Sequence, residues 1–157
     1  METKNVKPKK SRRAKYVEEI HQAVLIRCLR AMQTAGFWLT CAGDQNAAKR
    51  GSLASSAAKM TGLAPGEPDV RIYLPMGVCL FAELKTEHGR LSKDQVRRHA
   101  DLAALGHKVI VAKSDHPLTT TKIVLDELAK MTDWVQDELY PFAERACEEV
   151  LTALGRK

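Results

Sequence analysis

The chain has 157 residues, 45% hydrophobic and 28% charged, with a formal net charge of +6, which suits one globular domain with a modest core. No run of eighteen apolar residues points to a membrane span, and the charged N-terminus lacks the apolar centre of a secretory signal, so no membrane and a cytoplasmic location are expected. Cys28, Cys41, Cys79 and Cys147 stand far apart without Cys-x-x-Cys spacing, which argues against a zinc ribbon or a thioredoxin-type pair and for reduced, mostly buried thiols.

Residues 1–15 carry seven basic side chains against Glu2 alone, so this stretch accounts for the whole positive excess and reads as a flexible basic arm. Residues 45–100 hold nine basic and five acidic groups, whereas residues 126–149 hold eight acidic and two basic. A basic arm and a basic middle suit a polyanion such as DNA, because neutralised phosphates release counterions. A merely solubilising tail is the alternative for the arm.

Beyond the arm, apolar residues at 17, 20, 24, 25, 28, 29 and 32 predict an amphipathic helix, with Gly36 placed to end it. Residues 37–42 predict a short strand. Residues 43–66, rich in Gly, Ser, Ala and Lys, predict a long loop of the kind that often carries function. "VRIYL" and "VCLFAELK" read as two strands paired through Pro75-Met76-Gly77. A helix follows with Ser92 and Gln95 at capping-box spacing and Gly106 as its stop, then residues 107–113 as a strand parallel to the one before that helix. Two helices, 118–131 and 133–155, complete the chain, with Pro141 expected to restart or bend the second. The order predicts an α/β or α+β domain around a small mixed sheet.

Asp69 enters the first strand of the hairpin, and Glu83 and Lys85 leave the second. Side chains two apart on a strand share a face, so Glu83 and Lys85 point the same way, and the hairpin can bring Asp69 to them. Two neighbouring carboxylates raise each other's proton affinity unless a cation lies between them. Mg²⁺ fits, as it takes oxygen ligands and keeps waters, and the Leu84 carbonyl could add one more oxygen. Such a centre, with a lysine beside it, can hydrolyse a phosphodiester. Pro-Asp followed by Glu-x-Lys is a weak pattern by itself.

Its surroundings are more specific. "GLAPGEPDVRIYLP", "FAELKTEHGRLSKDQ" and "GHKVIVAKS" follow one another in an order that resembles the VRR-NUC family of the PD-(D/E)xK nuclease superfamily, from the first helix to about residue 114. The resemblance implies a restriction-endonuclease-like core at 16–114, with 115–157 as extra helices packed on it or forming a dimer interface. It implies Asp69 and Glu83 as metal ligands, Lys85 as the catalytic lysine, and Gln95 as its support or a contact to the scissile phosphate. It also asks for an acid on the first helix, for which Glu18 and Glu19 compete; Glu18 is preferred because Gln22 shares its helical face. Asn46, Lys49 and Arg50 match a polar, basic segment that touches DNA, and Arg97 and Arg98 are further DNA-contact candidates. Compact members of this kind look like Mg²⁺-dependent, Mn²⁺-tolerant structure-selective DNA endonucleases that act as homodimers on branched DNA such as four-way (Holliday) junctions.

Plainer readings stand beside these. The capping box alone accounts for Gln95, and helix-dipole preference accounts for whichever of Glu18 and Glu19 is not a ligand. Arg97 and Arg98 could be a solvated face. His21, His99, His107 and His116 read as surface or packing residues, and Trp38 and Trp134 as core or interface anchors. His88 has no second His or Asn at the spacing of a His-metal finger. A flap or single-strand nuclease of the same fold, and a DNA-binding module with an inactive site, are the competing functions.

Overall fold

A computed structural model describes residues 12–44, 60, 62 and 64–156. Asn46, Lys49 and Arg50, residues 1–11 of the basic arm and most of the predicted long loop lie outside the described residues.

Helix α1 (Arg12–Thr34) begins inside the stretch read as an arm. It buries Ile20, Val24, Leu25, Cys28, Leu29 and Met32 along one stripe, as the 3.6-residue period requires. Gly36 ends it at φ +101, where Gly36 N–H donates to the Gln33 carbonyl and Phe37 N–H to that of Met32, a Schellman closure. That closure explains a correction to the first strand. Phe37 finishes the helix and packs edge-on against Trp134 and Phe142, so β1 starts only at Thr40 (Thr40–Gly43).

β1 pairs antiparallel with β2 (Val70–Tyr73), and β2 antiparallel with β3 (Cys79–Lys85) in the register Val70↔Ala82 and Ile72↔Leu80. The hairpin turns through a short 3₁₀ segment, Pro75–Gly77, with Met76 and Gly77 both at positive φ. Helix α2 (Lys93–Ala104) then carries the chain across to β4 (Lys108–Lys113), which pairs parallel with β3. The sheet order is β1-β2-β3-β4. Helices α3 (Pro117–Met131) and α4 (Gln136–Ala153) follow. The result is the mixed α/β core that the family resemblance implies, with two added helices.

Pro141 does not divide the last helix, which runs through it as one segment. Its missing N–H would have bonded a carbonyl in the exposed first turn, and water can serve that carbonyl instead.

The sheet has one thick and one thin side. Alternate residues of the strands, among them Val70, Ile72, Leu80, Ala82 and Leu84, face α1, α3 and α4 in a single continuous core that also holds Val124, Leu125, Leu128 and Leu139. Among the described residues the other face has a separate small buried cluster, in which Leu102 of α2 packs on Cys79 and Phe81, with Val109 beside them. The four cysteines are free thiols, and burial pushes Cys28 up to about 12, far from a reactive thiolate. Among the described residues no helix is long and apolar enough to cross a membrane.

Candidate active site

β3 buries every one of its residues, and by the pleat Cys79, Phe81, Glu83 and Lys85 belong to the thin face. Apolar side chains fill that face at the start of the strand; a charged pair fills it at the end. Glu83 is fully buried and Lys85 is 1% exposed, and the Lys85 ammonium donates to Glu83 Oε1. Taking both charges out of water is costly, so the pair persists only where further polar groups complete it. Such an arrangement in a small domain marks a functional-site candidate.

The groups around the pair come from four elements. From α2, Gln95 Nε2 donates to Glu83 Oε1, and His99 Nε2 lies 3.5 Å from Glu83 Oε2. The same Gln95 also forms the capping box: its Oε1 accepts from Ser92 N–H at 2.9 Å, while Ser92 Oγ accepts from Gln95 N–H at 3.2 Å. Gln95 thus caps the helix with the oxygen of its amide and meets Glu83, rather than Lys85, with the nitrogen. From the loop before β2, Asp69 Oδ2 accepts the Leu84 N–H at 2.8 Å, which ties that carboxylate to the strand carrying Glu83 and Lys85. From α1, Gln22 Nε2 donates to the Asp69 carbonyl at 3.3 Å, and the same carbonyl accepts Asp44 N–H at 2.7 Å. The turn after β3 folds back so closely that a Cβ on Gly89 would sit 3.2 Å from Lys85 Cβ.

Burial by itself lowers the Lys85 pKa, but the carboxylates of Glu83, Asp69 and Glu18 outweigh it and hold the ammonium above the usual lysine range. Glu18, on the first helix, is among the acids whose charge raises Lys85. His99 is held below the usual histidine range by burial and then by the Lys85 charge, so its imidazole is neutral near pH 7.

The oxygen donors suit a hard divalent cation in kind: the Asp69 and Glu83 carboxylates and the Leu84 carbonyl, with Glu18 in electrostatic reach. The Lys85 ammonium, 3.3 Å from the Leu84 carbonyl, sits among them. Three carboxylates against one ammonium leave an excess of two negative charges, the complement of one Mg²⁺. Among the described residues, however, no three His, Cys, Asp or Glu side chains converge closely enough to hold a metal by themselves. The carbonyl and water oxygens that Mg²⁺ habitually retains would have to complete its shell.

The arginines named as DNA contacts separate. Arg97 is exposed and lies 3.6 Å from Asp94 on its own helix. Arg98 is only about a third exposed, and its Nε donates to Glu67 Oε2 at 2.7 Å. Of the histidines, His21 is buried with Nδ1 3.0 Å from Thr120 Oγ1, His116 caps α3, and His107 meets the edge of Phe81. His99 packs where the other three do not, against the charged pair, with Nε2 3.5 Å from Glu83 Oε2. Its spacing from Gln95, four residues along a helix, is the signal that would have found it. Trp134 packs on Phe37, but Trp38 is 78% exposed and is no core anchor.

No family model matches the chain. It is 40% identical over 70 residues to the protein described as "Putative nuclease p44" of Acyrthosiphon pisum secondary endosymbiont phage 1, a match that covers 40% of this chain and 75% of the phage protein. A solved structure titled "VRR_NUC domain" is 22% identical with a TM-score of 0.45, covering 73% of this chain and 95% of that one. A second, titled "VRR_NUC domain protein", is 21% identical with a TM-score of 0.39, covering 54% and 63%. Identity at that level over three quarters of the phage protein places the chain: it belongs to the family of that putative nuclease, and the order of Pro-Asp, Glu-Leu-Lys and Gln along it is the one that resembles the VRR-NUC nucleases.

Proposed function

We propose that the protein is a Mg²⁺-dependent DNA endonuclease that selects branched structure, such as a four-way junction, over base sequence, and that Mn²⁺ can replace Mg²⁺. The observation that carries this reading is the buried Lys85 ammonium lying in the field of Glu83, Asp69 and Glu18 at the end of β3. A divalent cation bound beside Asp69, Glu83 and the Leu84 carbonyl would supply positive charge to the scissile phosphoryl group.

The remaining work belongs to the chain. A lysine held above its ordinary range is a poor base at neutral pH. Lys85 therefore acts as a fixed cation, orienting the attacking water or offsetting charge that develops on the phosphate. Gln95 fixes the Glu83 carboxylate, and the Leu84 N–H fixes that of Asp69, so neither has to reorganise when substrate arrives. Exposed Arg97 stands on the same helix and suits a backbone phosphate. Lys49, Arg50 and Asn46 extend the proposed DNA contacts.

Resolving a four-way junction needs two cuts, and a two-fold dimer supplies two sites. The homodimer is supported by apolar groups at the hairpin end of the sheet, opposite the site: Trp38, Met76 and Val78 are exposed around an open groove floored by Phe37, Leu74 and Trp134.

The test incubates purified protein with labelled four-way junction, flap, single strand and plain duplex, in Mg²⁺, Mn²⁺ or EDTA. Junction cleavage that exceeds duplex cleavage and stops in EDTA is expected. Cutting that continues in EDTA defeats the mechanism, and salt-sensitive binding with no product under either metal would assign a DNA-binding module instead. Light scattering that gives a monomer at micromolar concentration would move the preference to flaps or single strands.

A further inference from the structure

Helix α2 has an anchorage problem. Leu102, near its C-terminal end, is its one buried apolar residue among the described ones. Nothing comparable fixes the N-terminal half, where Gln95 must meet Glu83. Polar contacts to the loop before β2 take that place. Gly66, at φ +82, lies so close to the first turn of α2 that a Cβ there would be 2.4 Å from the Asp94 carbonyl. Next to it, the Glu67 side chain is only 9% exposed; its Oε2 accepts from Arg98 Nε at 2.7 Å, and Oε1 lies 3.9 Å from Arg71 Nη1 on β2. Only Pro68 separates Glu67 from Asp69.

We propose that Glu67 and Arg98 are a positioning pair that fastens the Asp69 loop to α2, so that Asp69 and the Gln95–Glu83 contact are held at one fixed spacing. Arg71 supplies a second positive charge to the same carboxylate from the sheet. The kinetic consequence rests on the nuclease reading above. Arg98 is thereby taken out of the DNA-contact set and given a role inside the protein. The two roles differ in what they change: a phosphate contact sets affinity and its salt dependence, whereas a misplaced site group lowers turnover, by as much as about 100-fold for an ångström.

The test compares wild type with Glu67→Gln, Arg98→Met and Arg98→Lys, the first nearly isosteric and the last retaining the charge. Expected for Glu67→Gln and Arg98→Met is a fall in kcat of about 10–100-fold with KM and the salt slope of DNA binding unchanged, together with faster amide hydrogen exchange across residues 64–70. Arg98→Lys should recover most of both. A raised KM with kcat intact and a shallower salt slope in Arg98→Met would overturn the proposal and return Arg98 to the DNA surface. If wild type cuts nothing with either metal, the nuclease reading fails on its own, and the pair is decided by exchange. In that case loop opening in both variants sustains it, and identical exchange in all four proteins defeats it.

Discussion

On one face of the sheet, α1, α3 and α4 close over a continuous apolar core in which Val24, Leu25, Leu29, Ile72, Leu80 and Leu125 lose all contact with solvent. On the other, α2 rests through its own Leu102 on Cys79 and Phe81, and the remaining contacts are a charged pair, an amide, an ion pair and a glycine packed against backbone. The thick face needs only the right volumes, because the hydrophobic effect has no direction. The thin face needs particular atoms at particular places, and its polar groups carry a desolvation cost that only complete pairing offsets. Stability and chemistry are thus divided between opposite sides of one strand, β3, whose alternate residues serve each in turn.

That division can be broken from either side. Leu29→Ala removes a fully buried side chain from the thick face and should cost in the upper part of the ~2–5 kcal/mol range for such truncations, read from denaturant midpoints. Leu102→Ala, on the thin face, should fall near the lower end, about 2 kcal/mol. Equal losses would mean that the two faces share the apolar load. Lys85→Met keeps the length of the side chain and deletes its charge; single-turnover cleavage should drop about 100- to 1,000-fold, the scale of losing one charge-stabilising donor. Retention of wild-type rate would strip Lys85 of its part.

Gly66→Ala is smaller but reports on both roles of the thin face. An alanine there meets a strained φ and the Asp94 backbone, so a loss of about 1–3 kcal/mol is expected, with cleavage reduced as α2 is pushed off its seat. The mildest effect is a pH response from the thick side. His21 sits below its usual range because of burial, against the raising influence of the Asp115 backbone, Glu18 and the Asp115 charge, with His116 acting alongside burial. As pH falls through about 6.5 the unfolded chain takes up a proton that the folded one refuses, so stability declines in that direction. Melting temperatures between about pH 7 and 5.5 should therefore fall, and His21→Gln should flatten the slope. Lys85 behaves in the opposite sense: its contribution is complete below the ordinary lysine range and disappears as pH rises through its raised folded value.

Much of this was legible in the residues alone. The α1 stripe, the Pro75–Gly77 turn, the Ser92 cap, Gly106 and the parallel return of β4 are local signals, each complete within a few positions, and each stands in the structure. The Glu83–Lys85 pair follows from strand alternation, and the approach of Asp69 to the same strand, at the Leu84 N–H, from one hairpin. What escaped depends on contacts between distant segments. Glu67 and Arg98 are 31 residues apart, and no periodicity pairs them. Phe37 and Trp38 have strand-type side chains, yet β1 begins only at Thr40, because Phe37 closes the helix and packs on the distant Trp134 and Phe142. For Gln95 the cap and the site compete as readings, because a sequence gives no hint that one amide can cap a helix with its oxygen and reach Glu83 with its nitrogen.

Whether the thin face holds a metal is answered most directly by crystals soaked in Mn²⁺. An anomalous peak should touch Asp69 and Glu83 carboxylate oxygens and the Leu84 carbonyl, and it should vanish in Asp69→Asn. A map that is blank there, for protein that still cuts DNA when Mn²⁺ is added, would contradict the assignment and send the search for the reactive centre elsewhere on the molecule.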